Sequence, residues 1–403
     1  MAKHPRGNRK LIRAINRSAI LNTIKTDGPI SRTEIARQTG LSAATVSGIT
    51  ANLIASELVF EKEEGDSRGG RRPILLALNP RGGYVIGIKL AEDSITCALT
   101  DLESSVVAKD TYSLSNHSIQ DALDLIEKSV DELLKKSKIR KQQILGVGIG
   151  LAGIVDGKLG VLRHSPIFGW RDVPMKAMLQ SRLDIPVYVD NDVNTLTLTE
   201  KWFGAGQGVE NFLTITVGRG IGLGIVLDGQ LYHGARGGAG EFGHTVIDPN
   251  GPLCDCGKHG CLETMVSDPG LVRLAVEAFS KGDIPVEVSN VDELVALAGD
   301  GEEEAIRIFS KAADALAQGI ANLINVLSPQ LIIVSGEGVR AGDFLFEPMY
   351  TFLGKYIMPG LAEDTEIRVD VWDDDAWARG AAGLVLRELF ESPIHRKAVG
   401  LVE

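Results

Sequence analysis

Apolar residues in the first part of the chain recur at helical spacing, in short runs separated by polar breaks. The first run covers about residues 8–26 and is followed by the turn sequence at 27–29. Ser31 and Glu34 then have the spacing of a capping box, in which a hydroxyl and a carboxylate satisfy two free backbone amides reciprocally. This pattern predicts a second, shorter helix that ends at Gly40.

A third helix is expected to begin at Ser42, a suitable N-cap, so that the second and third helices form a helix-turn-helix. Its apolar stripe leaves a face of small and hydroxyl side chains. Such a face can enter the major groove of DNA and bond bases or phosphates. We therefore expect DNA contacts from Ser42, Ala43, Ala44, Thr45, Ser47 and Thr50.

Two strand-like segments, about residues 58–60 and 74–78, flank a polar loop and predict a wing after the helix-turn-helix. The loop contains Arg68, Arg71 and Arg72 beside glycines that allow close approach of the backbone. Arginine is the side chain most often inserted into a narrow minor groove, so we expect these three to bind DNA. A flexible charged linker is the alternative interpretation of the same segment.

From about residue 83 onward, strand patterns alternate with helical patterns, and the same order of elements occurs twice. The strands that we predict are 84–90, 94–100, 104–112, 145–150, 187–189, 212–217, 222–227 and 331–334. The accompanying helices are about 119–133, 174–183, 193–202 and 303–327. A repeated unit of this kind predicts an α/β body with two lobes and a cleft between them.

Charge is unevenly divided along the chain. Residues 1–75 carry 13 Lys and Arg against 7 Asp and Glu, whereas the whole chain has a net charge of -11. A basic head on an acidic body indicates a nucleic-acid module joined to a domain that does not bind nucleic acid. No apolar run reaches the roughly 18–20 residues of a membrane helix, and the polar N-terminus is unlike a signal peptide. We therefore expect a soluble cytoplasmic protein without a membrane partner.

The chain has four cysteines, and three of them fall within eight residues. Cys254, Cys256 and Cys261 follow His244 and complete a set of three thiolates and one imidazole, the usual ligands of a closed tetrahedral zinc site. Soft sulfur ligands disfavour magnesium and calcium. We expect a structural zinc ion, because four protein ligands leave no coordination position for a catalytic water. A chance cluster of buried cysteines is the alternative.

Several motifs of the body resemble those of the ROK family, which contains repressors and sugar kinases. The resemblance covers about residues 80–390, and it rests on the segments 150–156, 190–194, 240–244, 254–257 and 260–263. It implies an actin/hexokinase-like fold, with a two-lobed sugar-binding and oligomerisation domain at 80–403. The helix-turn-helix and the Gly-Arg-Arg-Pro segment resemble the head of the family's transcriptional regulators, which implies a DNA-binding domain at 1–79. The segment around the cysteines resembles the family's zinc motif, with all four ligand positions filled.

The resemblance also implies a sugar site. Sugars need several convergent donors and acceptors, because each ring hydroxyl can act as both. The positions that match those holding a hexose in the family are Gly153, Asn191, Asp192, Glu241, His244 and Glu263. Helix capping or surface charge is the alternative role of each carboxylate.

Two departures from the family's kinases argue against ATP use. Those kinases carry an Asp-x-Gly-Gly-Thr type segment in the first strand turn, where this chain has Lys89 and lacks the glycines. The second phosphate loop carries Arg219 where the kinases usually have threonine. Phosphoryl transfer needs magnesium and a loop that holds the nucleotide phosphates, and the two departures together argue against it. We therefore expect no enzyme activity and regard Asp192 as a sugar-hydroxyl acceptor instead of a catalytic base.

These features together predict a sugar-responsive transcriptional regulator, with repression as the expected mode. It would bind a palindromic operator in double-stranded DNA as a homodimer or homotetramer, since one winged head reads only a half-site. The effector would be a free or phosphorylated sugar that changes operator affinity. Two alternatives stay open: an active sugar kinase with an accessory DNA module, and a regulator controlled by a protein partner.

Overall fold

The computed structural model of the chain describes residues 9–62, 73–371 and 376–391. Contacts between Cα atoms divide the protein into two compact units. The first consists of Met1–Asp190 and Trp377–Glu403, and the second is Asn191–Ala376. Arg68, Arg71 and Arg72 lie outside the described residues.

The N-terminal head contains three helices and a three-stranded sheet, as the sequence predicts. Its elements are α1 (Arg9–Asp27), β1 (Ile30–Ser31), α2 (Arg32–Thr39), α3 (Ala43–Ala55), β2 (Val59–Lys62) and β3 (Leu75–Leu78). The strand order is β1-β3-β2, and β2 pairs antiparallel with β3 to form the two sides of the expected wing. The short strand β1, which pairs with β3, was not predicted from the sequence.

The ends of the head helices are determined by local chemistry. The Ser31 hydroxyl accepts a hydrogen bond from the Glu34 amide at 3.2 Å, and Gly40 ends α2 in the left-handed conformation with φ of 67°. The Ser42 hydroxyl accepts from the Thr45 amide at 3.2 Å and caps α3. Only half of the predicted capping box forms, because the Glu34 carboxylate is bonded to Arg37 instead of the Ser31 amide.

The rest of the first unit is built on a five-stranded sheet of order β11-β7-β4-β5-β6. These strands are β4 (Tyr84–Leu90), β5 (Ser94–Thr100), β6 (Val106–Ser113), β7 (Ile144–Leu151) and β11 (Val187–Asn191). The meander β4-β5-β6 is antiparallel, and β7 pairs parallel with β4. The amphipathic helix α4 (Ile119–Ser137) buries its apolar face in the core of this sheet.

The remaining elements before the second sheet are a small antiparallel sheet and two helices, and a C-terminal helix packs beside them. They are β8 (Ile154–Asp156), β9 (Val161–Ser165), β10 (Trp170–Val173), α5 (Met175–Leu183), α6 (Asp192–Phe203) and α12 (Ala376–Phe390). α12 lies directly on β7: a Cβ atom at Gly148 would be 1.8 Å from the Ala381 carbonyl oxygen. The small sheet and α12 were not predicted from the sequence.

The second unit repeats the strand arrangement of the first. Its sheet has the order β14-β13-β12-β15-β16. These strands are β12 (Phe212–Val217), β13 (Ile221–Leu227), β14 (Gln230–Leu231), β15 (Leu331–Ser335) and β16 (Glu366–Val369). As in the first unit, an antiparallel hairpin (β12-β13) adjoins a parallel strand (β15), which confirms the repeat expected from the sequence.

Besides α6, which also lies in the second unit, five helices accompany this sheet: α7 (Glu263–Val266), α8 (Asp268–Lys281), α9 (Val291–Gly299), α10 (Glu303–Leu327) and α11 (Asp343–Leu353). The long helix α10 has the predicted bounds, and twelve of its residues are buried in the core of the unit. Within the part of the chain that the structure describes, no helix is both long and apolar enough to cross a membrane.

Candidate metal centre, ligand site and DNA-binding face

The His/Cys cluster predicted from the sequence forms in the second unit. The ligand atoms of His244, Cys254, Cys256 and Cys261 all lie within 4.8 Å of one another. The Cys254 Sγ is 3.5 Å from the His244 Nδ1, and the Cys256 Sγ is 3.6 Å from the Cys261 Sγ. These separations suit four ligands arranged around one ion.

Backbone contacts give the loop its shape. Single β-bridges join Val246 to Cys261 and Leu253 to His259. Gly260 has a φ of 66°, and a Cβ atom there would be 1.5 Å from the Asp248 carbonyl oxygen. A side chain at position 260 therefore does not fit, which explains the glycine next to Cys261.

The chemistry of the donors fits a thiophilic metal ion. Cys254 and Cys261 are buried and Cys256 is exposed. Burial raises the pKa of the Cys261 thiol to about 12, since a thiolate there lacks solvation. A bound dication would supply the missing positive charge and hold the sulfur deprotonated. The four side chains of this cluster can therefore bind a metal ion.

His244 connects the cluster to two carboxylates. Its Nδ1 faces Cys254 and lies 3.8 Å from the Glu263 Oε1, while its Nε2 lies 4.0 Å from the Glu241 Oε2. A metal ion at Nδ1 would leave the proton on Nε2, so that this nitrogen is a donor on the side of Glu241.

Three polar segments converge on the start of β13. The Ile221 amide donates to the Glu263 Oε2 at 3.1 Å. A Cβ atom at Gly243 would lie 2.4 Å from the Ile221 carbonyl oxygen, and one at Gly222 would lie 2.4 Å from the Val193 Cγ2. The segments that carry Asp192, Glu241 with His244, and Glu263 therefore adjoin the same end of one strand, although the chain separates them by as many as 71 positions.

Asn191 and Asp192 also stabilise the first turn of α6. The Asn191 Oδ1 accepts from the amides of Val193 at 2.9 Å and Asn194 at 3.2 Å. The Asp192 Oδ1 accepts from the Val193 amide at 3.0 Å. The helix-cap alternative thus applies to these two oxygen atoms, and a ligand contact by Asn191 would come from its side-chain nitrogen.

Gly153 lies in the first unit, unlike the other five predicted sugar residues. Its φ is 129°, and a Cβ atom there would be 2.4 Å from the His164 carbonyl oxygen on β9. Local packing is therefore sufficient to require glycine at this position.

The two positions that depart from the kinase pattern have different surroundings. The Lys89 Nζ lies 3.9 Å from the centroid of the Trp377 ring, a cation–π contact within the first unit. Arg219 lies in the turn between β12 and β13. The Glu337 carboxylate approaches this turn, since a Cβ atom at Gly218 would lie 2.6 Å from its Oε2. The turn therefore has charges of both signs, from Arg219 and from the Glu337 carboxylate.

The exposed face of α3 differs from the prediction at one position. Ala43, Ala44 and Ser47 are exposed, as expected. Thr50 is fully buried, so the prediction that it faces DNA is wrong. The Arg32 Nε donates to the Thr50 hydroxyl at 3.2 Å, because the helical turn rotates position 50 towards α2.

Arg32 is a residue that the sequence analysis missed. Its guanidinium bonds Thr50 on α3 and also forms a 2.7 Å ion pair with Glu61 on the wing strand β2. It therefore joins three elements of the head. The sequence shows only an arginine after a helix cap, which gives no signal for these contacts.

Two sequence profiles match the chain, one for the body and one for the head. The ROK family profile matches residues 85–388. The chain belongs to the ROK family. A winged helix-turn-helix DNA-binding profile matches residues 13–59. The protein thus has a ROK sugar-kinase-like α/β body preceded by a winged helix-turn-helix head.

Two named transcriptional regulators are similar to the chain over most of its length. The xylose repressor of Caldicellulosiruptor bescii is 33% identical over 399 residues, which covers 96% of this chain and 99% of the relative. The DNA-binding transcriptional dual regulator NagC of Escherichia coli K12 is 30% identical over 342 residues, 84% of each chain.

Solved structures include both a regulator and a kinase of the family. The crystal structure of a ROK family transcriptional regulator, a homologue of the E. coli MLC protein, has a TM-score of 0.86 and 26% identity. It covers 96% of this chain and 99% of that one. A ROK family glucokinase from Streptomyces griseus, in complex with glucose and AMPPNP, has a TM-score of 0.64 and 28% identity. It covers 75% of this chain and 99% of the glucokinase.

Proposed function

We propose that this ROK-family protein is a sugar-responsive transcriptional regulator that represses genes of carbohydrate metabolism. The observation that carries the proposal is the joining of a winged helix-turn-helix head to a ROK body. The similarity to a xylose repressor extends over 96% of the chain, so it includes both parts. The proposed domains are a DNA-binding domain at 1–79 and a sugar-binding and oligomerisation domain at 80–403.

The metal ion would be zinc, held by His244, Cys254, Cys256 and Cys261. Zinc would supply a fixed, four-coordinate cross-link and no catalytic water, because all four positions are occupied by the protein. The support is the donor set and the 4.8 Å limit on the separations of its atoms. The cross-link would orient the ring of His244 between the carboxylates of Glu241 and Glu263.

The sugar would bind beside this cross-link. Glu241, His244, Glu263 and Asp192 would bond ring hydroxyls, with the side-chain nitrogen of Asn191 as a further donor and the backbone at Gly153 as a further contact. The convergence of four of these residues on the start of β13 supports the assignment. Xylose, for which the similar repressor of Caldicellulosiruptor bescii is named, is the first compound to test.

The head would bind a palindromic operator, and the body would form the dimer or tetramer that a two-fold operator requires. DNA contacts are proposed for Ser42, Ala43, Ala44, Thr45 and Ser47 on α3, and for Arg68, Arg71 and Arg72 in the wing. Sugar binding would lower operator affinity if the sugar prefers the DNA-free geometry of the protein.

A sugar kinase is the second candidate, because a glucokinase has the same fold over 75% of the chain. The lysine at position 89, which contacts the Trp377 ring, disfavours it. Phosphoryl transfer needs magnesium, and an ammonium group cannot be a ligand of that cation.

A thermal-shift screen of the metal-loaded protein tests the proposal. Free and phosphorylated sugars are compared with ATP–magnesium, and each sugar that shifts the transition is then added to protein bound to operator DNA. A ligand at one hundred times its dissociation constant stabilises the native state by about 2.7 kcal/mol. A sugar-specific shift with release of DNA is expected. A shift by nucleotide would favour the kinase, and no shift by any sugar would favour control by a protein partner.

A further inference from the structure

A groove of about 350 Å³ lies between α1 and α3 of the head. Its two walls have different chemistry. α1 contributes Arg9, Arg13 and Asn16, whereas α3 contributes the small residues Ala44, Thr45 and Gly48. Ile12 and Ile49 also line it, and Ile12 is 48% exposed. The groove thus combines an apolar floor with a cationic edge.

The cationic edge of the groove carries arginines of the head that can neutralise DNA phosphates. α3 contains no charged residue, so it cannot neutralise phosphates itself. Arg32 and Arg37, on α2, are paired with Glu61 and Glu34. Arg9 and Arg13 are exposed, and neither has an ion-pair partner among residues 9–62, 73–371 and 376–391. These two guanidiniums are therefore available cations at the border of the recognition helix.

The composition of α1 adds to the positive charge at this edge of the groove. The helix has no acidic residue in its first turn, and Asp27 at its far end is the only acidic residue in it. Arg9 and Arg13 are four positions apart, so they lie on one face of the helix. Neutralisation of phosphates supplies much of the affinity of proteins for DNA, and α1 provides the positive charge that α3 lacks.

We propose that the groove between α1 and α3 holds one sugar-phosphate strand of the DNA, with Arg9 and Arg13 bound to successive phosphates. The deoxyribose rings pack over Ile12, and the hydroxyl of Thr45 adds a phosphate contact. Ala44 and Thr45 belong both to the groove and to the proposed base-reading face, so the two surfaces are continuous. This inference rests on the proposed DNA-binding function and extends it to α1.

The test compares the salt dependence of DNA binding by full-length variants. The probe is a duplex selected from a randomised pool by the unaltered protein, and an unrelated duplex of equal length serves as reference. Each lost phosphate contact lowers the slope of log Kobs against log salt by about 0.9. A dimer on a two-fold site loses two phosphate contacts from each head, so we expect R9A/R13A to lower the slope by about 3.6. Between about 50 and about 200 mM salt, the variant would then lose about 150-fold less affinity than the unaltered protein.

Arg17→Ala is the matched control, because Arg17 is exposed on the next turn of α1 and does not line the groove. Its slope should stay close to that of the unaltered protein. The preference of R9A/R13A for the selected over the unrelated duplex should also be retained, since phosphate contacts carry little sequence information.

Equal slopes for R9A/R13A and the unaltered protein would overturn the inference while leaving DNA binding intact, as would an equal reduction by Arg17→Ala. If R9A/R13A changes only the sedimentation of the DNA-free protein, the groove binds a second copy of the chain and the inference is wrong. If the unaltered protein selects no duplex, the proposed function fails together with the inference.

Discussion

At the residue scale, Thr50 is the one residue of α3 that was predicted to face DNA and is buried instead. Threonine is equally compatible with a DNA-facing and a core-facing position, because its methyl group packs and its hydroxyl bonds. Thr50 is fully buried and accepts a hydrogen bond from Arg32, so it belongs to the interior of the head. Ser47, three positions earlier, is exposed.

Replacing Thr50 with valine should destabilise the head by about 1 kcal/mol, because the Arg32 guanidinium loses one hydrogen-bond acceptor. The isosteric change keeps the packing volume. Denaturant unfolding of the full chain, followed by a probe in the head, measures the effect.

Ser47→Ala is the matched control, since it removes a hydroxyl from the exposed face of the same helix. It should leave stability unchanged and weaken DNA binding. The assignment of Thr50 to a structural role would be contradicted if both variants weakened DNA binding equally without any loss of stability.

At the scale of elements, the loop from His244 to Cys261 shows why glycine positions in it are not equivalent. Gly257 and Gly260 both have positive φ, at 86° and 66°. A Cβ atom at Gly257 would meet no atom within 4 Å, whereas one at Gly260 would overlap the Asp248 carbonyl oxygen. The backbone conformation is shared, and only the close approach differs.

Gly260→Ala should therefore abolish binding of the proposed zinc ion, because the loop has to open to remove the overlap next to Cys261. Gly257→Ala carries only the conformational cost of an L-residue at positive φ, about 1–2 kcal/mol, and should retain the ion. Metal content by mass spectrometry distinguishes the two variants, and sugar affinity should follow metal content through His244. Equal retention of metal by both variants would show that the loop is not held as described.

At the scale of the whole molecule, the first unit joins segments from both ends of the chain. α12 packs on β7, and Phe390 at its end lies near the head: its ring centroid is 5.0 Å from the Lys25 Nζ on α1. Burial lowers the pKa of Lys25 to about 8. The protonation state of the Lys25 amine therefore depends on whether α1 and α12 remain packed.

This contact predicts a pH dependence of stability. Lys25 has an unfolded pKa of 10.5 and a folded pKa of about 8, so the unfolded chain binds the additional proton between these values. The free energy of unfolding should rise with pH in this window, by at most about 3 kcal/mol. Lys25→Met keeps the apolar packing and removes this rise.

The measurement is urea unfolding of both proteins from neutral pH to about pH 10.5, with Lys128→Met on the exposed side of α4 as the control. The free energy of unfolding of the unaltered protein minus that of Lys25→Met should change above pH 8. The same difference taken with Lys128→Met should not change. A difference that is independent of pH would mean that Lys25 is solvated.

Much of the fold could be predicted because its signals are local. The bounds of β4, β5, β12 and α10 agree with the sequence pattern. The caps at Gly40 and Ser42 form as expected, as does the Ser31 half of the capping box. Alternation of apolar positions and cap chemistry depend on near neighbours in the chain, so they can be seen without a structure. The small sheet β8-β10 and α12 were missed because their strands are short or their packing partners are distant in sequence.

By itself, the sequence determined the head, the repeated α/β body and the identity of the four candidate metal ligands, since each depends on residue type and spacing. Only the tertiary structure decided which atoms converge. Glu263 accepts from the Ile221 amide, and the Nδ1 and Nε2 of His244 face Glu263 and Glu241 respectively. Arg32 bonds both Thr50 and Glu61. It also created the groove between α1 and α3. These contacts join residues far apart in the chain, and their geometry depends on how whole elements pack, which local pattern does not specify.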